Sequence, residues 1–199
     1  MMAIMATTPG RKELSHERIL DVAARAIRRA GYHGVGVADI MKEAGLTHGG
    51  FYAHFASRNA LLAEALQHAG RDNAAVLAEH LRQAQDQGAS PFRALVRAYL
   101  HDSQLDNAEH GCCVAALASE MPRQTDDLAD AGRGRVLALV DLVRRHLPVG
   151  VDATQAQVIL ATLVGSLQLA RTLGGKPGKT WLANARQSLI NQYDADGVG

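Results

Sequence analysis

Val37-Ala-Asp-Ile-Met-Lys-Glu-Ala-Gly-Leu-Thr-His-Gly-Gly-Phe-Tyr-Ala-His-Phe55 is the stretch that decides the fold. It reads as two short helices, about Val37 to Ala44 and about His48 to His54, with Gly45 closing the first and Thr47 as N-cap of the second. Ile40, Met41, Leu46, Phe51 and Phe55 then fall on an inward side, and Thr47, His48, Gly49, Gly50, Tyr52 and His54 on an outward side. Two such helices at a tight glycine-containing turn form a helix-turn-helix, whose second helix enters the major groove of duplex DNA. The chemistry suits that use. Thr47, Tyr52 and His54 carry donors for phosphate, and His48 can reach a base edge. Glycines at 49 and 50 let the backbone come close to a duplex, at a cost of about 1 kcal/mol each in helix propensity. Arg58, beside the N-cap Ser57 of the next helix, adds a phosphate candidate. A three-helix unit with no DNA partner would show the same pattern, so from these residues alone both readings stand.

Outward from this stretch the apolar period stays near 3.6 and no alternating run appears, which predicts an all-α chain of about nine helices. Ile19, Leu20, Ala23, Ile27 and Ala30 make one face of a helix from about Glu13 to Ala30, stopped by Gly31. Ser57 opens a long helix to about Gln85, and Ser90-Pro91 opens another. Further helices are expected at about 112–121, 125–147, 152–173 and 179–193, the last two separated by a turn at Gly174-Gly-Lys-Pro-Gly178. The resulting division is a flexible N-terminal arm over 1–12, a helix-turn-helix domain over 13–58 and a larger helical domain over 59–199.

The 199 residues are 47% hydrophobic and 21% charged, a globular composition with ample length for a core. The formal charge of +1 hides a division, because residues 1–60 sum to +3 with four histidines and residues 61–199 sum to −2. That excludes a nonspecific, highly basic nucleic-acid binder but not a selective one. Four of the eight aromatics, Tyr32, Phe51, Tyr52 and Phe55, sit around the two short helices. Adjacent Cys112 and Cys113 cannot staple a loop, and no basic, apolar leader precedes Arg11, so a cytoplasmic protein is expected. The uncharged run 153–170 carries six Thr, Ser and Gln residues and reads as a buried or interfacial helix, with no membrane contact expected. Gly174 to Thr180 resembles a phosphate loop only superficially, because Leu173 stands at its first glycine and no strand precedes it. No nucleophile elbow, carboxylate pair or zinc-helix motif is present, so neither enzymatic activity nor a cofactor is expected. The competing function class is a helical protein-interaction module.

From Arg18-Ile-Leu-Asp-Val-Ala-Ala24, through Gly31 to Phe55, and on to Ser57-Arg-Asn-Ala-Leu-Leu62, the chain resembles the N-terminal domain of the TetR family of transcriptional regulators. The resemblance implies a homodimer on a palindromic double-stranded DNA operator, usually a repressor, released by a small molecule in the larger domain. It carries the recognition positions onto Thr47, His48, Gly49, Gly50, Tyr52 and His54, and a phosphate contact onto Arg58. Two hydroxyls common in the family are missing, at Val35-Gly36 ahead of the first short helix and at Gly50, which shifts readout toward His48, backbone contacts and DNA shape.

Dimerisation also follows from physics, since one head makes too few contacts for selectivity. The candidate interface is the last two helices, through Ile159, Leu163, Val164, Leu167, Trp181, Leu182 and Leu189. The competing reading makes them the central buried helices of the protomer. Gly111 to Glu120 resembles a Gly-Cys-x4-Leu-Ala-x-Glu segment of some TetR-like regulators, electrophile sensors among them. A thiolate at a helix N-terminus is favoured, which makes Cys112 and Cys113 candidates for effector or redox sensing. Two small buried hydrophobes is the bland reading, and a metal role with His101 or His110 has no recurrent ligand spacing behind it.

Overall fold

The computed structural model describes residues 10–194, so the arm expected over 1–12 falls largely outside the described residues. Nine α-helices are present among them: α1 (Arg11–Ala30), α2 (Val37–Glu43), α3 (Arg58–Asp86), α4 (Pro91–Tyr99), α5 (Ser103–Asp106), α6 (Cys113–Leu117), α7 (Asp126–Arg145), α8 (Gln155–Leu173) and α9 (Gly175–Tyr193). No strand occurs among the described residues. The count matches the expectation for a different reason. His48–Ala53 is a 3-10 helix, and α5 is an α-helix that the sequence pattern did not reveal.

Local signals explain the starts of the long helices. The Ser57 hydroxyl accepts the Ala60 N–H at 3.1 Å, and Ser90 accepts that of Arg93 at 3.1 Å with Pro91 in the first turn. α1 starts two residues before the expected Glu13, because the Glu13 carboxylate reaches back to the Gly10 N–H at 2.7 Å. Two boundaries differ more. The helix expected over 112–121 ends at Leu117, leaving 118–120 as a turn and Met121–Arg123 as a single 3-10 turn. The five-residue turn expected before α9 shrinks to Gly174, because residues 175–178 already form the first turn of α9, where Pro177 needs no hydrogen-bonding N–H.

One continuous core runs from Ile19 on α1 to Ile190 on α9. α1 lies along α3, burying Ile19, Ala23 and Ile27 against Leu62, Leu66 and Ala69, at about 1.5–3 kcal/mol for each fully buried aliphatic side chain. Ala30, expected on the apolar face of the first helix, is exposed, and so is Val76 of α3. α3 continues into the body against α4 and α7, while α8 and α9 pack on each other. Ser90 and Arg93 on α4 hold Asp194 at 2.6 and 3.2 Å, fastening the end of α9. α8 is long and apolar enough to cross a membrane by length and composition, and a third of that window is buried in the protomer.

Candidate nucleic-acid interface

The two elements of the expected helix-turn-helix are held from behind. Ile40 and Met41 of α2 and Phe51 and Phe55 around the 3-10 helix are at most 3% exposed, and Leu46 is half-buried. Gly45, at φ +69°, makes the turn between them, a left-handed conformation that a side chain would strain. Arg18 on α1 donates to the Ala44 carbonyl at 3.3 Å, and Glu43 lies 3.7 Å from both Arg25 and Arg29. The second element is therefore carried by a rigid bracket of α1 and α2. It winds as a 3-10 helix because Gly49 and Gly50 lower α propensity while Phe51 and Phe55 must both reach the core.

Four of the expected outward positions are exposed. Thr47, His48 and Gly49 are exposed, Gly50 is half-buried, and Tyr52 is 74% exposed beside Phe51 at 2%. Thr47 occupies the N-cap position by its backbone, but its hydroxyl caps nothing and stays available. A Cβ on Gly49 would meet nothing within 4 Å, and one on Gly50 only ordinary contacts with Thr47 and Met41 at 3.7 and 3.8 Å. Packing within the protomer therefore requires neither glycine.

Two of the residues expected to face DNA have partners inside the protomer. His54 is half-buried and turns inward, its ring 5.9 Å from that of His16, with a buried Nδ1 that has no hydrogen-bond partner. Burial, together with His16 and Lys12, holds its imidazole below the ordinary value, and the ring faces α1. Arg58 is engaged inside the protomer. Its guanidinium donates to the Val35 carbonyl at 3.1 and 3.3 Å and also to the Tyr32 carbonyl, fixing the loop that enters α2.

The interface residues named for α8 and α9 are likewise redistributed. Ile159, Leu163, Leu167, Leu182 and Leu189 are at most 3% exposed inside the protomer, Val164 is half-buried, and Trp181 is 42% exposed. A second stripe, one position earlier on the same helix, remains outside: Val158, Thr162, Gly165 and Leu169, of which the two large apolar members are about half exposed. It faces the same way as a shallow recess bounded by Thr162, Ser166, Trp181 and Ala185. The 158-162-165-169 spacing was legible in the sequence, but two interleaved helical stripes gave no sign of which one the protomer would bury.

Cys112 and Cys113 are both 2% exposed. The Tyr99 hydroxyl donates to Cys112 Sγ at 3.1 Å, and burial, with Cys112 adjacent, pushes the Cys113 thiol up despite Arg135 and Arg28 nearby. The reactive-thiolate expectation thus meets two thiols packed as core, on a five-residue α6. His101 and His110 are bonded locally, to Ser103 and Asn107 at 2.8 Å, and do not converge on a metal position. Asp21, His68 and Asp72 bring donor atoms within 4.8 Å of one another, but His68 Nε2 is already hydrogen-bonded to Asp21 at 2.6 Å, which ties α1 to α3.

Glu120 carries a role that the sequence did not disclose. Its carboxylate accepts the Tyr32 N–H at 2.9 Å and occupies the space where a Cβ of Gly31, at φ +72°, would stand. The Gly111 to Glu120 motif was the available signal, but its partner lies 88 residues away.

With this geometry in hand, comparisons with known proteins agree on one class. Residues 19–65 match the family described as bacterial regulatory proteins, tetR family. The HTH-type transcriptional regulator BetI of Burkholderia thailandensis is 27% identical over 92% of this chain and 93% of its own length. The HTH-type transcriptional regulator YxaF of Bacillus subtilis is 35% identical over 53% of this chain and 56% of its own. A TetR transcriptional regulator from Chloroflexus aurantiacus superposes with a TM-score of 0.77 at 25% identity, over 92% of this chain and 97% of that one. The chain is a helix-turn-helix transcriptional regulator and not an enzyme. Within that class, residues 19–65 match the tetR family, and the chain is similar along nearly its whole length to regulators of that kind.

Proposed function

We propose that the chain is a cytoplasmic homodimeric repressor whose two heads occupy the half-sites of a palindromic operator and are released by a small-molecule effector. In this reading residues 13–58 are the DNA-binding domain and 59–199 the effector-binding and dimerisation domain. The observation that carries the reading is the outward face of the 3-10 helix. Tyr52 stands in solvent while its neighbour Phe51 anchors the element, and Gly49 and Gly50 are unexplained by anything inside the protomer. Close approach of this backbone to a duplex explains both glycines, with Thr47 and Tyr52 donating to phosphates and His48 reading a base edge. His54 and Arg58 support that face from behind. The dimer forms through the exposed stripe of α8 with Trp181 of α9, setting the heads about 34–36 Å apart to match one turn of DNA.

Release follows from an effector that binds better to a dimer whose heads no longer match the half-site spacing. Release by an electrophile or oxidant is the weaker reading, because both cysteines are shielded. Selection of bound duplexes from a random pool tests the proposal. Enrichment of an inverted repeat whose binding weakens steeply with salt and survives competitor DNA supports it. Absence of any enriched sequence, with binding to other proteins instead, would establish the chain as a protein-interaction module.

A further inference from the structure

A groove of about 480 Å³ opens between the turn at residues 118–122 and α7. Its walls are apolar, among them Ala118, Met121, Val136 and Leu137, and Arg133 is the single charged side chain that lines it. Leu137 is 64% exposed, so apolar surface here is left to water. The volume lies within the roughly 300–1,000 Å³ of small-molecule sites. Among the described residues Arg133 is held by Asp130, three residues back on the same exposed helix face, and such a pair is exchanged at little cost for a stronger anionic partner.

The groove also borders a strut between the body turn and the end of α1. Glu120 lies in sequence between two lining residues, Ala118 and Met121, and points the opposite way, to the Tyr32 N–H and Gly31. Met121 in turn rests against Gly132 of α7, where a Cβ would stand only 3.0 Å from its side chain. Beyond Tyr32, Arg58 grips the carbonyls of Tyr32 and Val35, and Val35 leads through Gly36 into α2. A body that parts residues 118–122 from α7 therefore moves Glu120, and with it the loop that orients the DNA-reading bracket.

We propose that this groove is the effector site, that it takes a compact organic anion with an apolar body, and that Glu120 is the positioning residue that passes its occupancy to the head. This rests on the reading of the chain as an effector-released regulator. Once filled, the groove favours a conformation in which the Glu120 contact with Tyr32 is lost, and affinity for DNA falls by the same factor by which DNA weakens the ligand.

The full-length dimer titrated with the aromatic anion 1-anilinonaphthalene-8-sulfonate, followed by its fluorescence, tests the site. Saturable binding is expected that is lost in Val136→Trp, which fills the groove, and weakened in Leu137→Glu, whose exposed position spares the fold. Binding unchanged in both variants, or none in the wild type, overturns the site. Hydrogen exchange at residues 31–35 tests the strut: the dye should accelerate it in the wild type and leave it unchanged in Glu120→Ala, which still binds the dye. Acceleration of equal size in Glu120→Ala overturns the role of Glu120. On a selected duplex the dye should weaken wild-type binding about tenfold and Glu120→Ala binding hardly at all. If no duplex is bound, the regulator reading fails on that ground alone, while the fluorescence and exchange results still decide the groove.

Discussion

The Arg58 guanidinium lies across the Val35 carbonyl, with contacts at 3.1 and 3.3 Å, and thereby locks the first turn of α3 to the loop that feeds α2. Hydrogen bonds from a charged donor are worth about 1.5–3 kcal/mol each, and Arg58 satisfies two carbonyls at once. Arg58→Ala is therefore expected to lower unfolding free energy by about 1–3 kcal/mol in denaturant titration. A purely phosphate-binding arginine would leave stability unchanged and reduce the salt slope of duplex binding by about one.

Gly49 separates recognition from folding. Gly49→Ala meets no atom within 4 Å, so thermal stability should hold or rise, by up to about 1 kcal/mol from helix propensity. Duplex affinity should fall in the same variant. Unchanged affinity would remove the reason given for the glycine pair.

Tyr52 and His48 are assigned different work on the same face. Tyr52→Phe should weaken binding to all sequences to a similar degree, whereas His48→Ala should relax preference at one position per half-site, at about 1–3 kcal/mol. Repeating the duplex selection with each variant checks both, and an operator preference untouched by His48→Ala refutes the readout assignment.

The two depressed histidines set a pH dependence. His54 is held below its usual 6.5 by burial, His16 and Lys12, and His80 by burial and His101. Below pH 6.5 the unfolded chain takes up protons that the folded chain refuses, so stability is full above that value and is lost as pH falls from it toward the folded-state values. A His54→Gln, His80→Gln double variant should show a shallower fall in melting temperature between pH 7.5 and 5.5 than the wild type.

Shielded thiols should react slowly. Iodoacetamide at pH 7.5 is expected to leave Cys112 and Cys113 unmodified in the native protein and to label both in denaturant, as read by mass spectrometry. Rapid native labelling that also abolishes duplex binding would restore the sensor reading.

Helices with one buried stripe were legible from periodicity, and so was the bracket, because Ile40, Met41, Phe51 and Phe55 have only one way to face inward. Short or glycine-rich elements were not. The 3-10 winding of His48–Ala53, the early end of α6 at Leu117 and the start of α9 at Gly175 all depend on tertiary contacts that override propensity. Side-chain direction was the other blind spot. Arg58 and His54 occupy positions that suit DNA contact, but Arg58 finds two loop carbonyls and His54 finds α1, partners that spacing does not encode. On α8 the stripe that the protomer buries is Ile159, Leu163 and Leu167, while Val158 and Leu169 of the neighbouring stripe, interrupted by Thr162 and Gly165, stay outside.

The shared core of α1 and α3 constrains how this protein can be recombined. A head cut at residue 58 would lose Leu62, Leu66 and Ala69, the surface on which Ile19, Ala23 and Ile27 rest, and would expose an apolar seam prone to aggregation. Grafting this DNA specificity onto another sensor body therefore calls for a splice beyond Ala69, inside α3. A Glu120 counterpart in the recipient must also be in place to meet the transplanted Tyr32.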